Sequence, residues 1–162
     1  MTLFKDNKAR ESGFTIIELL VVLMIAAILF SLSTINLGKA QTGASLSSTT
    51  NTLLADLKNQ QILSMSGDIG SNTTAQQHGI YLTSNNYTLF AGSSYSSSDP
   101  NNYTEVTNNV AISTTFPSST VIFNKGDGSV ASFSSTNNTI TLSENGDSQT
   151  ITINRFGATS VN

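Results

Sequence analysis

An unbroken apolar run near the N-terminus constrains this chain more than any other feature. From Leu19 to Phe30 every residue is apolar, and with Phe14, Ile16 and Ile17 the segment runs from Phe14 to about Leu32. That is roughly the 20 residues a helix needs to cross the hydrocarbon core of a bilayer. One ionisable residue, Glu18, stands inside it. A carboxylate at that depth is costly to insert, so it marks a functional position by default.

The residues ahead of the run carry Lys5, Lys8 and Arg10 against Asp6 and Glu11. A short, net basic start fits a positive-inside anchor. It also fits the front of a secretory signal peptide, for which Ser31-Leu32-Ser33 offers a small-residue cleavage site. The signal-peptide reading explains neither the glutamate inside the apolar region nor the glycine placed just before it.

The segment Gly13-Phe14-Thr15-Ile16-Ile17-Glu18-Leu19-Leu20-Val21-Val22 resembles the type III signal of prepilins and pseudopilins, in which a basic leader precedes G|F-T-x-x-E-L-L-V-V. The resemblance covers these ten residues and the leader charge. It implies that a prepilin peptidase/N-methyltransferase cuts after Gly13 and methylates the new N-terminus, Phe14. It further implies that Glu18 pairs with a neighbouring subunit's N-terminal amine during assembly. A buried acid is tolerable when a cation meets it, and breaking such a pair is costly. The sequence departs from many pilins where a helix-kinking proline would stand; Ser33-Thr34-Ile35-Asn36 occupies that neighbourhood.

Beyond the run, Leu46, Leu53, Leu54, Leu57 and Ile62 recur close to a 3.6-residue period. Asn51, Asp56, Lys58 and Gln60 fall between them and are expected to face water. Leu46, Leu53 and Leu57 form a narrow stripe suited to packing on a sheet. Gly67 supplies a stop, reinforced by Gly70. A helix from Phe14 to about Met65 would be roughly 75 Å long, with Gly38, Gly43 and the Ser/Thr run Ser45–Thr50 weakening its middle enough to bend.

After a polar loop, Asp68–Gln77, the signals change to short strands between turns. Gly79–Thr83 and Tyr87–Ala91 flank Ser84-Asn85-Asn86 as a hairpin. Gly92–Asn102 reads as an exposed loop. Weaker strands follow at Tyr103–Val106 and Val110–Thr114. Thr120–Phe123 and Val130–Phe133 flank a two-glycine turn at Asn124–Gly128. Thr139–Leu142 and Thr150–Ile153 alternate polar and apolar around Glu144–Asp147, as a half-buried antiparallel sheet requires.

The expected fold class is therefore α+β and pilin-like. A long N-terminal helix, membrane-spanning in its first half, precedes an antiparallel β-sheet domain. The divisions are a leader at 1–13, a transmembrane segment at 14–34, an amphipathic continuation at 35–66 and a β domain at 67–162. This order is similar to that of the GspH/FimT group of minor pseudopilins. So are Val121-Ile122-Phe123 before a glycine-containing turn and the tail Ile151–Gly157, which resembles that group's closing strand and "G-R" turn. Ala158 stands here where that turn has arginine.

Composition excludes several functions. Formal net charge is −3, and removing the net basic leader makes it more negative. Past Glu18 the basic residues are Lys39, Lys58, Lys125 and Arg155, too scattered for strong nucleic-acid binding. Cysteine is absent, so an exported domain must depend on its core rather than on disulfides. His78 is the sole histidine and is expected to be a loop-to-strand residue, not a ligand. Asp127 and Asp147 lie in turns without the ligand spacing of a calcium loop. Asn72, Asn86, Asn102 and Asn137 begin sequon-like triplets, which are frequent by chance in so Asn/Thr-rich a chain.

These features give no nucleophile–base constellation, cofactor or metal site, and the expectation is no enzyme. The expected role is a structural minor pilin or pseudopilin of a type II secretion pseudopilus or type IV pilus. Its partners would be the prepilin peptidase, other pilin subunits, an inner-membrane assembly platform and the lipid bilayer. The β domain would lie outside the cytoplasm. Two alternatives are a FimT-like DNA-uptake or pilus-tip binding subunit and a simple anchored surface domain.

Overall fold

The computed structural model describes residues 13–69 and 74–162, and within its helix the side chains of 32–42 are not described. The leader charges, Asn72, Gly70, and the side chains of Gly38, Lys39 and the Ser33–Asn36 neighbourhood therefore lie outside the described residues. The chain divides into two compact units, Met1–Ala40 and Gln41–Asn162.

One helix, α1 (Ile16–Ser66), contributes to both units. It begins where Thr15 supplies a cap: the Glu18 N–H approaches Thr15 Oγ1 at 3.3 Å, satisfying one of the first-turn donors that a helix leaves open. It ends at Gly67, whose φ of +73° is the left-handed stop that glycine adopts without a Cβ clash. The Asp68 N–H then reaches back to the Leu63 carbonyl at 3.1 Å, the longer bond of a Schellman closure.

In the first unit, the apolar side chains from Phe14 to Phe30 are exposed around the whole circumference of the helix. The segment expected to span the membrane, 14–34, is only partly covered by the described side chains. Among the described residues no helix is long and apolar enough to cross a membrane. The stretch Ile16–Ser31 reaches only about 24 Å at the α-helical rise, against roughly 30 Å for a hydrocarbon core.

The second unit combines the later part of α1 with eight strands. These are β1 (His78–Leu82), β2 (Asn86–Ala91), β3 (Tyr103–Val106), β4 (Ala111–Thr114), β5 (Thr120–Phe123), β6 (Thr139–Glu144), β7 (Asp147–Ile153) and β8 (Thr159–Val161). They form two antiparallel sheets, ordered β3-β2-β1-β5 and β4-β6-β7-β8. The hairpins at Ser84–Asn86 and Glu144–Asp147 form as the sequence predicts. In the second, Asn145 and Gly146 both take positive φ, the two-residue turn whose twist matches the flanking strands.

Alternation places Ile80, Leu82, Tyr87, Val121 and Phe123 from one sheet in the core with Ile112, Ile140, Leu142, Ile151 and Ile153 from the other. Leu46, Leu53 and Leu57 of α1 complete that core, as the leucine stripe predicts. On the opposite faces, threonine hydroxyls pair across strands: Thr88 with Thr104 and Thr141 with Thr150.

Three expectations need correction. Val130–Phe133 is not a strand. Ser132 has a φ of +52°, which ends any extension, and only Val130 bridges back to Phe123. Gln60 does not face water but is buried, whereas Ile62 is half exposed. The buried face of α1 in this unit runs Leu46, Thr50, Leu53, Leu57, Gln60 and Ser64, alternating steps of four and three, with Gln61 buried beside it. The β domain also contains two sheets and a final strand, β8, that the apolar pattern does not announce.

Candidate functional site

The N-terminal site is built from one helical turn. Gly13 is exposed, and among the described residues nothing lies within 4 Å of a Cβ added to it. Phe14 is 79% exposed. Thr15 caps α1, and Glu18 occupies the third helical position. That threonine–glutamate spacing of three is the pattern of a capping box, a signal in the sequence that the prepilin resemblance overshadows. Glu18 is exposed and sits in the first turn, where the helix dipole favours an anion.

Around this carboxylate the surface is apolar. Ile16, Ile17, Leu19 and Leu20 are all more than half exposed, and so are Leu23, Met24, Leu29 and Phe30 farther along. A helix that is apolar all round belongs in lipid or among other apolar helices, and an exposed patch of this extent marks an interaction surface. Gly13, Phe14 and Glu18 thus lie together at the start of α1, next to that surface.

The other residues singled out in the sequence serve the β domain. His78 opens β1. Its backbone N–H donates to Ser64 Oγ at 2.9 Å, and its Nε2 lies 3.3 Å from Asp68 Oδ2, an approach too oblique for a hydrogen bond. Asp127 accepts the Ser129 N–H and hydroxyl at 3.0 Å each. These bonds, the backbone one foremost, hold its carboxyl below the usual carboxylate range. Asp147 pairs with Glu144 across the β6–β7 turn. Asn86 is tied to Thr83 and Asn102 to the Ser96 carbonyl. Among the described residues no group of three or more His, Cys, Asp or Glu could hold a metal ion.

Sequence reasoning missed Gln61. Its amide donates to the Gly128 carbonyl at 2.9 Å and to the Phe156 carbonyl at 2.8 Å, while its oxygen accepts from Lys58 Nζ at 2.8 Å. One side chain on α1 thereby holds two turns of the sheets. Tyr87 was read as a strand residue, but its hydroxyl also reaches α1, donating to Asp56 Oδ2 at 2.6 Å. Burial, then that hydrogen bond, raises the phenol well above its ordinary pKa.

Comparison with known proteins agrees with the N-terminal geometry. The profile of the prokaryotic N-terminal methylation motif matches residues 8–34, a span that contains Gly13, Phe14, Glu18 and the apolar run. No curated protein and no solved structure matches the chain. The motif match supports a type IV prepilin-like protein. Such a motif implies processing by a prepilin peptidase and assembly with other pilins.

Proposed function

We propose that the chain is a structural minor pilin or pseudopilin subunit of the GspH/FimT kind, cut after Gly13, methylated on Phe14, and assembled into a type II secretion pseudopilus or a type IV pilus. The observation that carries this reading is the methylation motif at residues 8–34, and the apolar surface exposed from Phe14 to Phe30 agrees with it. Before assembly that surface is held in the cytoplasmic membrane of a bacterium, with the β domain outside the cytoplasm. In the filament, neighbouring helices replace the lipid. Glu18 then meets the free amine of an adjacent Phe14, which sets the axial register of one subunit against the next. The chemistry of maturation belongs to the peptidase, and the subunit acts by packing.

Mass spectrometry of the native product tests the processing step. The expected N-terminus is Phe14 bearing one methyl group, and a product that begins at Met1 or beyond Ser31 defeats the proposal. Glu18→Gln tests assembly: the variant is expected to be processed and inserted but largely lost from sheared filaments. DNA filter binding with the purified full chain separates the DNA-uptake alternative, which requires an affinity that falls steeply with salt.

A further inference from the structure

The face of sheet β3-β2-β1-β5 that points away from the core carries an aromatic cluster. Gly79 leaves the start of β1 without a side chain there, and the Phe90 ring fills the space. A Cβ on Gly79 would lie 2.9 Å from Phe90 Cζ and 2.6 Å from the Val121 carbonyl oxygen. Tyr95, in the loop after β2, meets Phe90 edge-on with centroids 5.7 Å apart. It stacks on Tyr81 of β1 at 4.1 Å with 7° between the planes. The loop is tied to itself, since Asn101 donates twice to Asp99 Oδ1 and the Asn102 amide donates to the Ser96 carbonyl. Tyr95 is therefore positioned before any ligand arrives.

A cavity of about 410 Å³ opens beside the stacked rings. Tyr81, Tyr95 and Ile122 give it an apolar side, and Ser93, Ser94, Ser118 and Thr120 give it hydroxyls. All seven side chains are uncharged. Ser118 and the adjacent Ser119 both have φ of +53°, a strained backbone for serine of the kind that concentrates at ligand sites.

We propose that this cleft binds a neutral carbohydrate. A phosphate or nucleic acid would call for lysine or arginine, and a metal cation would call for carboxylates. Serine and threonine hydroxyls both donate and accept, which matches the hydroxyls of a sugar, while the tyrosine rings and Ile122 match its C–H face. The volume lies toward the small end of ordinary ligand sites, enough for one or two sugar rings. A proline-rich peptide is the rival suggested by paired tyrosines, but it needs rings set apart to admit a proline, and the stacking here closes that slot. The proposal is independent of filament assembly.

The test uses the purified full chain in a zwitterionic detergent, since a glycoside detergent would compete. Saturation-transfer NMR and tyrosine fluorescence are followed with methyl glycosides of glucose, galactose, mannose and N-acetylglucosamine, with the matching trisaccharides, and with decaproline. The chain has no tryptophan and four tyrosines, so the fluorescence change reports on few rings. Saturable binding of at least one sugar is expected. Response to the simple glycoside assigns the site to a terminal sugar, and response to the trisaccharide alone assigns it to the interior of a glycan chain.

Tyr95→Ala should weaken binding about tenfold or more, the loss of one ring contact. Ser118→Gly should weaken it about threefold with the melting temperature unchanged or raised, because glycine accepts the positive φ. The proposal is overturned if no sugar binds at millimolar concentration. It is equally overturned if neither variant changes the binding, or if decaproline binds and the sugars do not.

Discussion

The helix α1 meets two different environments along its length, and the contrast separates what each part is for. In the first unit the apolar side chains from Phe14 to Phe30 point outward in all directions and are largely exposed. In the second unit the helix buries only one stripe, and half of that stripe is polar: Thr50, Gln60 and Ser64 beside Leu46, Leu53 and Leu57. The first arrangement lacks a self-made cover, as suits a helix meant for lipid or for other apolar helices. The second is covered by its own domain: Ser64 accepts the His78 N–H of β1 and Thr50 donates to the Leu46 carbonyl of its own helix, while the Gln60 side-chain oxygen is buried without a hydrogen-bond partner among the described residues.

The largest expected effect comes from matched leucine truncations. Leu53→Ala removes a side chain with no exposure and should destabilise the β domain by about 2–5 kcal/mol. Leu23→Ala, at a position 58% exposed, should leave the melting temperature of the detergent-solubilised chain unchanged while weakening filament incorporation. Circular-dichroism melting of both variants decides the matter, and equal losses would erase the contrast.

The next effect concerns the Gln61 amide. Gln61→Leu strands the Gly128 and Phe156 carbonyls and should cost about 1–3 kcal/mol. Gly157→Ala should be at least as harmful. Its φ is +76°, and the added Cβ would collide with the Gln61 amide nitrogen. Chemical denaturation with an unchanged m-value would show that both act on the folded state.

The smallest effect is that of Tyr87→Phe, about 1 kcal/mol for the lost bond to Asp56. It carries a pH signature. Burial and the Asp56 carboxylate make the folded state hold the phenol proton more tightly than the unfolded chain does. That contribution is whole below the ordinary tyrosine pKa of about 10 and declines as the pH rises above it. Stability measured from pH 8 upward should therefore fall more steeply for the native chain than for the variant.

Much of this organisation was legible in the residues. The stop at Gly67, the leucine stripe and the two tight hairpins follow from periodicity and turn chemistry, because each is set by neighbours in sequence. The N-terminal methylation motif was legible because its residues are contiguous. The rest depends on contacts between distant segments. Gln60 reads as solvent-facing from polarity alone and Gln61 gives no signal at all, yet both are buried, and for Gln61 the partners are carbonyls far along the chain. Strand β8, Thr159–Val161, is exposed throughout and so shows no alternation to detect. Val130–Phe133 has the composition of a strand, but the backbone turns at Ser132. The division into two sheets lies in strand order, with β4 leaving its sequence neighbours β3 and β5 to pair with β6, and no local pattern encodes that.

The Gln61 amide has a mechanical corollary. Its two N–H groups grip separate turns of the domain, so tension entering through that helical turn is divided between them side by side. Links arranged in this way must rupture together, whereas links in a row fail one at a time. If the proposed filament role holds, a subunit pushed and dragged there would yield abruptly at a threshold load instead of unravelling gradually from its tail.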